Sequence, residues 1–368
     1  MKKKKITLLV SHYPDALINK RIEMLKNQYD VEVIYNERGN ENFLVYKDVK
    51  YEKLKYKFGN GKLFKRIFSL IKLRKQIKQI ILNNNSDYIY AFRFDMLFMV
   101  IINGFKKKKI IYEVADLHES IINNSRNIIK IIIKKVLIFI ERIMCINVDI
   151  LSITSKKYYD VYFSKFINKE KVVFIPNMPD LNYFKTYRKN KNEEFTIGFI
   201  GFVRYKKQMK LLIQAAEETK TKVFFAGDSE DDEIKNLSEK SKYVQYYGKY
   251  NYNNDIANLY AKCDCIYSVY DTDYNNVKFA LPNKLYESIY CELPILVSEG
   301  TYLGELVNTW GVGLTVDPYS LKDLVTKIKK IKEDKTTYNT IIQNCKKNKA
   351  KINIEAYNRL FLKKITEI

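Results

Sequence analysis

The stretch FTIGFIGFVRYKKQMKLLIQAAEETKTKVFFAG, residues 195–227, decides the fold. Its first seven residues are mostly apolar, do not alternate with polar residues and end at Gly201, which predicts a strand buried on both faces. Apolar residues then recur at helical spacing over 206–219, and a second apolar run over 222–227 again ends in glycine. A strand, a helix and a strand in this order predict one unit of a parallel α/β sheet.

The same alternation extends over most of the chain. Strands are predicted at 5–11, 31–35, 88–92, 109–115, 149–154, 171–177, 195–201, 222–227, 244–248, 265–270, 294–298 and 313–317. Helices are predicted at 18–28, 61–84, 125–147, 156–167, 206–219, 230–240, 253–263, 282–291, 304–310, 320–332 and over the tail 335–368. Two such series predict an α/β protein of two Rossmann-like, doubly wound parallel-sheet domains that face each other across a cleft.

The predicted boundary between the domains lies in a polar segment with two prolines and no periodicity, PNMPDLNYFKTYRKNKNEE. We predict an N-terminal domain over 1–185 and a second domain over 186–350. The remaining residues, 351–368, are predicted to form a helix that returns to the N-terminal domain. A length of 368 residues suits two α/β domains better than one.

The charge of the chain is strongly positive and uneven. Its net charge is +23, with +17 over residues 1–180 and +6 over 181–368. Two explanations stay open at this point: an anionic partner such as a lipid surface or a phosphorylated substrate, or the Lys-, Ile- and Asn-rich composition that an AT-rich genome produces. We find no nucleic-acid-binding motif and expect no nucleic-acid partner.

The compartment is predicted from the cysteines and from the lack of targeting signals. Five cysteines form neither a disulfide framework nor a metal-ligand pattern, which favours a reducing compartment and no metal site. No export signal and no membrane-spanning segment is predicted. We therefore expect a cytoplasmic protein.

The first candidate site follows the strand that ends at Gly201. A glycine turn before a helix offers free backbone N–H groups to a phosphate. Arg204 and Lys207, three residues apart, can add two positive charges on one side of that turn and stabilise a departing nucleoside diphosphate without a metal. The alternative is that both side chains are ordinary solvated surface charge.

The second candidate site is ALPNKLYESIYCELPILVS, residues 280–298. Leu281 and Pro282 open a helix, and proline suits its first turn. Asn283 and Lys284 then lie at the helix start, where a donor would bind. Glu287, one turn further on, can accept hydrogen bonds from both ribose hydroxyls of a nucleotide. Alternatively, it only complements the helix dipole.

With these segments in place, 195–317 resembles the donor-binding half of GT-B glycosyltransferases, in particular the retaining group 1 type (family 4) of bacterial capsular and surface polysaccharide synthesis. The resembling segments, in order, are GFIGFVRYKKQMKLLIQAA, VFFAGD, DIANLYAKCDCIYSV, PNKLYESIYCELPILVSEG and GELVNTWGVGLTVD. The resemblance implies an N-terminal acceptor-side domain, a C-terminal domain that binds a nucleotide sugar, and no cofactor or metal.

Carried over by position, the resemblance assigns roles to three residues and leaves one role open. Glu287 matches the second glutamate of the family's paired-glutamate motif, which binds ribose, and Lys207 matches the phosphate-binding lysine. The first glutamate, which contacts the donor sugar, would fall at Phe279 and is absent. The family's arginine would fall at Phe202, so Arg204 is displaced by two positions and is expected to serve in its place.

The first half supplies further candidates. YEVADLHES, residues 112–120, resembles the family's segment with a His-Asp pair, and implies that Asp116 and His118 position the sugar or stabilise positive charge at its reacting carbon. A helix N-cap is the alternative role for Asp116. In the first loop, His12, Tyr13 and Asp15 are expected to touch the acceptor.

Two Ile- and Lys-rich helices over 61–80 and 125–147 have two possible roles. Each would lie flat on an anionic membrane, where such enzymes meet lipid-linked acceptors, or would be an ordinary core helix with a charged outer face.

We therefore expect a glycosyltransferase that is retaining and metal-independent, with a nucleotide sugar as donor and a glycan or lipid-linked glycan as acceptor. Its expected place is the cytoplasm, peripheral on the inner face of the cell membrane. Two alternatives stay open: a nucleotide-sugar epimerase of the same fold, and a glycan-assembly protein without turnover.

Overall fold

The computed structural model describes residues 3–38, 43–55, 63–105, 108–118, 127–229 and 231–368. Contacts divide the chain into two compact units. The first unit contains Met1–Pro176 together with Ile354–Ile368, and the second contains Asn177–Asn353. The division therefore falls at Asn177, somewhat before the expected boundary at residue 185.

The first unit is built on a seven-stranded sheet. Its strands are β1 Lys5–Val10, β2 Asp30–Tyr35, β3 Lys50–Lys53, β4 Tyr88–Phe92, β5 Lys109–Val114, β6 Ile150–Ile153 and β7 Val172–Phe174. Its helices before the division are α1 Ala16–Leu25, α2 Leu63–Asn84, α3 Arg93–Ile102, α4 Ile128–Cys145 and α5 Lys156–Val161. The strand order is β3-β2-β1-β4-β5-β6-β7, so the direction of strand addition reverses between β1 and β4.

The second unit is built on a six-stranded sheet of order β10-β9-β8-β11-β12-β13. The strands are β8 Thr196–Ile200, β9 Lys222–Ala226, β10 Val244–Gly248, β11 Cys265–Ser268, β12 Ile295–Ser298 and β13 Gly313–Val316. The helices are α6 Lys206–Thr219, α7 Glu233–Glu239, α8 Tyr252–Ala261, α9 Asn275–Phe279, α10 Asn283–Tyr290, α11 Tyr302–Trp310, α12 Leu321–Glu333 and α13 Lys335–Asn348. The last helix, α14 Ile354–Thr366, packs in the first unit, where the Phe361 ring lies 5.7 Å from that of Tyr90.

Every strand pairing in the described residues is parallel, which confirms the prediction of two parallel-sheet α/β domains. All twelve predicted strands are present. The sequence patterns missed three short elements: β3, α3 and α9. None of the described helices is both long enough and apolar enough to cross a membrane.

A buried ion pair ties the first sheet to α1. Arg21 is 1% exposed, and its Nη2 atom lies 2.8 Å from Oε1 of Glu113 on β5. The same nitrogen donates to the Ile175 carbonyl at 3.2 Å, and the Tyr90 hydroxyl donates to Glu113. Burial alone would lower the pKa of Arg21, but the charge of Glu113 raises it overall. Arg21 therefore has a structural role, since it links α1 to the sheet.

In the second unit, glycines let the ends of two neighbouring strands approach. Gly201 follows β8 with φ +143°, and Gly227 follows β9 with φ +150°. A Cβ atom on Gly227 would fall far inside contact distance of the Gly201 carbonyl oxygen. Glycine is therefore required at 227 both for its backbone angle and for space.

We expect Gly227→Ala to destabilise the second unit by about 1–3 kcal/mol, since the added methyl group must push the two strand ends apart. The measurement is thermal unfolding followed by circular dichroism. Gly300→Ala is the matched control, because Gly300 also has a positive φ of +68° but faces open space. Equal melting temperatures for the two variants would show that the close approach is not needed.

Candidate functional site

The candidate site lies at the carboxyl edge of the second sheet, where the strand order reverses. From β8 the chain first adds β9 on one side and later adds β11 on the other. Helices that follow strands on opposite sides of such a point leave a crevice beyond the strand ends, where ligands bind in open parallel sheets. Gly201 directly follows β8 at this point, and Tyr270 lies two residues after β11 on the opposite side.

Lys284 brings a positive charge directly over the glycine turn. It lies in the first turn of α10, and its Nζ atom is 5.2 Å from the ring centroid of Phe199 and 5.7 Å from that of Tyr270. A Cβ atom built on Gly201 would lie 2.7 Å from this Nζ. No described carboxylate lies within ion-pair distance of Lys284. The rings hold the ammonium group by cation–π attraction without neutralising its charge.

The start of α6 adds two more cations beside the same turn. Arg204 and Lys207 are exposed, and the Arg204 guanidinium lies 5.6 Å from the Phe202 ring. The N-cap residue of α6, Tyr205, makes no capping hydrogen bond with its side chain, and no described carboxylate pairs with either cation. The exposed N–H groups of an uncapped helix attract anions, so phosphate is the group that this turn fits.

The neighbouring lysines of α6 are already paired. Lys206 contacts Asp231 and lies 3.4 Å from Glu233, while Lys210 lies 2.6 Å from Glu233. These carboxylates hold the pKa of Lys206 above its ordinary value. The basic residues at the start of α6 therefore fall into two groups. Lys206 and Lys210 pair with carboxylates, whereas the predicted site residues Arg204 and Lys207 have no described carboxylate partner.

Glu287 is placed on α10 as predicted but is nearly inaccessible, at 3% exposure. Its Oε1 accepts a hydrogen bond from the Tyr252 hydroxyl at 2.6 Å, and its Oε2 accepts one from Tyr260 at 2.5 Å. Burial, followed by the charge of Glu287, raises the pKa of both tyrosines. Each carboxylate oxygen can accept a second hydrogen bond, and ribose binding by Glu287 stays a prediction.

The other residues predicted at the start of α10 form its frame. Pro282 is the N-cap position and provides no side-chain hydrogen bond, and Leu281 is buried. The Oδ1 atom of Asn283 is buried without a hydrogen-bond partner. A buried acceptor without a donor costs free energy, and a ligand donor would remove that cost. Phe279 ends α9, so an aromatic side chain stands where the resemblance expects a carboxylate.

The sequence patterns missed an aromatic cluster at this edge. The Tyr205 ring lies 5.2 Å from that of Tyr270 and 5.8 Å from that of Tyr274. Nearby, the Tyr319 hydroxyl donates to Asp271 at 2.6 Å and links the loops after β13 and β11. The sequence feature that could have indicated this cluster is a tyrosine shortly after a predicted strand or directly before a predicted helix.

In the first unit, the predicted acceptor residues have local partners. Asp15 caps α1 by accepting from two of its backbone N–H groups at 3.0 and 3.1 Å, and its Oδ2 lies 3.8 Å from Nε2 of His12. The Tyr13 ring packs at 5.7 Å from both Tyr35 and Phe43. Each contact stabilises the first loop, and an acceptor role for these residues stays a prediction.

Asp116 and His118 follow β5 and are both exposed. The Asp116 carboxylate accepts a hydrogen bond from the buried Tyr158 hydroxyl at 3.3 Å. A helix with Asp116 as its N-cap would begin at Leu117, but Leu117 and His118 are not helical. Residues 119–126 lie outside the described residues. The structure therefore presents both side chains at the carboxyl edge of the first sheet and leaves their catalytic role a prediction.

The candidate site of the second unit lies in a region that matches a known protein family. Residues 182–348 match the family model "Glycosyl transferases group 1". These residues form a group 1 glycosyltransferase domain. The match confirms two predictions: that the family is the group 1 type and that the protein is a glycosyltransferase. Arg204, Lys207, Lys284 and Glu287 all lie inside the group 1 domain.

The fold of the whole chain resembles solved GT-B structures, as predicted. Sucrose-phosphate synthase from Thermosynechococcus elongatus is 13% identical, with 99% of each chain covered and a TM-score of 0.76. Anabaena Alr3699/HepE in complex with UDP is 18% identical over 99% of this chain and 100% of that chain, with a TM-score of 0.75. WaaG, a glycosyltransferase involved in lipopolysaccharide biosynthesis, is 13% identical over 96% and 97%, with a TM-score of 0.69. No curated protein sequence matches this chain significantly.

We expect Tyr260→Phe to destabilise the group 1 domain by about 1–3 kcal/mol, because it leaves one oxygen of the buried Glu287 carboxylate without its donor. The measurement is the shift in thermal unfolding temperature. Tyr267→Phe is the matched control: Tyr267 is equally buried but donates to a neutral carbonyl, that of Gln208, at 3.0 Å. A smaller loss for Tyr260→Phe than for the control would show that the hydrogen bond to Glu287 does not stabilise the domain.

Proposed function

We propose that this chain transfers a sugar from a UDP-sugar to a glycan or lipid-linked glycan acceptor in the synthesis of a surface polysaccharide. The observation that carries the proposal is the Lys284 ammonium over the Gly201 turn, with Arg204 and Lys207 at the adjacent helix start. Three cations and an uncapped helix N-terminus, at the point where the strand order reverses (the switch point), fit the diphosphate of a nucleotide sugar. Alr3699/HepE in complex with UDP and WaaG in lipopolysaccharide biosynthesis support the choice of UDP and of the pathway class.

The reaction would break the bond between the anomeric carbon and the β-phosphate oxygen. Negative charge then develops on the departing UDP, and Lys284, Arg204 and Lys207 would stabilise it. The acceptor hydroxyl would attack from the face that UDP leaves, and the phosphate oxygen would take the hydroxyl proton. The new glycosidic bond then keeps the anomeric configuration of the donor, and no protein base is needed.

A metal ion is not required in this proposal, since the three cations supply the charge that a divalent ion would otherwise bring to the diphosphate. Glu287 would hold the ribose together with Tyr252. In the first unit, Asp116 and His118 would orient the donor sugar or stabilise positive charge at its anomeric carbon. His12, Tyr13 and Asp15 would contact the acceptor. The expected location is the cytoplasm, at the inner face of the membrane.

The decisive experiment is calorimetric titration with UDP, GDP and dTDP in the presence of EDTA. We expect UDP to bind, and Lys284→Met to weaken its binding about 10- to 100-fold, the value of one charge-assisted hydrogen bond. Lys206→Met is the control, since it removes an equal charge that Asp231 already neutralises. Comparable weakening by both variants would show that only the overall charge matters.

Two other outcomes would change the proposal. If UDP binds only in the presence of Mg²⁺, the proposed metal independence is wrong, but the proposed transferase function is not affected. Failure of every nucleotide to bind would favour the alternative of a glycan-assembly protein without turnover.

We expect Asp116→Asn and His118→Gln each to lower UDP-sugar turnover about 100-fold while leaving UDP affinity unchanged, because misplacing the sugar costs rate rather than nucleotide binding. Turnover and product configuration are followed by proton NMR. Lys157→Gln, at a partly buried lysine of α5, serves as the control. An isomerised UDP-sugar formed without acceptor would identify an epimerase instead, and an inverted linkage would exclude the retaining mechanism.

A further inference from the structure

Helix α4 of the first unit presents apolar side chains to solvent. Eight of the 17 large hydrophobic side chains that are exposed in the described residues lie on this helix or at its C-cap, with exposures from 44% to 72%. We call them the α4 stripe: Ile128, Ile129, Ile132, Ile133, Val136, Phe139, Ile143 and Ile146. An exposed apolar patch of this extent marks an interaction surface.

The opposite side of α4 anchors the helix through a polar residue. Glu141 is 3% exposed and accepts hydrogen bonds from the hydroxyls of Tyr112 and Tyr162, each at 2.6 Å. Met144 and Cys145 are buried on the same side. Rotating the helix to bury its isoleucines would expose Met144 and break both hydrogen bonds of Glu141. The packing of the helix therefore fixes the stripe outward.

The stripe is straight and has cations along one edge. Residues 128, 132, 136, 139 and 143 follow each other by four, four, three and four positions, so they line one face over about 22 Å. At 3.6 residues per turn, Lys135 and Arg142 project beside that face, and both are exposed. An apolar face bordered by cations is the pattern of a helix that lies in a membrane interface.

We propose that the α4 stripe inserts into the boundary between head groups and acyl chains of an anionic lipid membrane, with Lys135 and Arg142 on the head groups. Charge complementarity selects this occupant over a second copy of the chain. Two copies joined through the stripe would bring two basic edges together, in a chain of net charge +23. The anionic surface attracts the same edges. Docking through α4 is independent of the donor chemistry in the second unit.

The experiment is sedimentation of the full-length protein with vesicles of equal parts phosphatidylglycerol and phosphatidylethanolamine, and separately with pure phosphatidylcholine. We expect binding to the anionic vesicles, and loss of about tenfold or more for the triple variant Ile132→Gln/Val136→Gln/Phe139→Gln. Leu360→Gln is the matched control, because Leu360 is 61% exposed on α14 of the same unit. Lys135→Gln/Arg142→Gln should lower binding to anionic vesicles by about tenfold.

Depth is measured with tryptophan, since the chain has a single one, Trp310 in the second unit. In Phe139→Trp, brominated lipids should quench the added fluorescence, whereas in Leu360→Trp they should not. UDP binding by all variants is measured in parallel and should not change.

Several results would overturn membrane docking. Wild-type protein that stays in the supernatant, or a triple variant that sediments like the wild type, would each do so. A wild-type dimer in analytical ultracentrifugation that the triple variant dissociates, without any vesicle binding, would assign the stripe to a second copy instead. A failed UDP titration with intact vesicle binding would refute only the proposed donor site.

Discussion

The close approach of two strand ends at Gly201 and Gly227 is the constraint on which the candidate site depends. Any side chain at 227 would collide with the carbonyl of Gly201, and any side chain at 201 would meet the Lys284 ammonium. The two glycines therefore keep the edge of the sheet bare beside the switch point. Only because this edge is bare can a lysine from α10, over 80 residues away in sequence, lie over the turn that follows β8.

Charge pairing then divides the basic residues at this edge by role. Lys206 and Lys210 lie on the side of α6 that faces Asp231 and Glu233, and their charges are compensated there. Lys207 is their neighbour in sequence but projects elsewhere on the helix, as the helical period requires. The positive charge that remains is concentrated at the N-terminus of the helix. The positive end of the helix dipole lies there too, so both attract an anion.

The sequence predicted what depends on local periodicity and missed what depends on long-range contacts. Buried parallel strands are continuous apolar runs, so every predicted strand was found. In contrast, β3 reads KYEK, an edge strand too polar to recognise, and α3 begins at Arg93 with φ +69° and has no capping side chain. The pairing of Glu287 with Tyr252 and Tyr260 could not be predicted, because it joins two helices that only the sheet topology brings together.

The same limit applies to the orientation of α4. Its sequence shows both isoleucines and lysines at helical spacing, and either face could have packed on the sheet. What decides is Glu141, whose two tyrosine partners come from β5 and from the residue after α5. Turning the isoleucines inward would leave the Glu141 carboxylate and both tyrosine hydroxyls without these hydrogen bonds, so the hydrogen bonds oppose that orientation.

The distribution of charge between the two halves of the sequence supports a function for the basic first half. A bias in base composition acts on both halves of one gene alike, yet the net charge is +17 over residues 1–180 and +6 over 181–368. The cations that fit a diphosphate lie in the second half, so donor binding does not account for the excess. The proposed anionic surface beside the first unit would account for it, and the apolar stripe with its basic edge lies in that unit. A bias in base composition alone would explain neither the unequal net charge of the two halves nor the outward-facing isoleucines of α4.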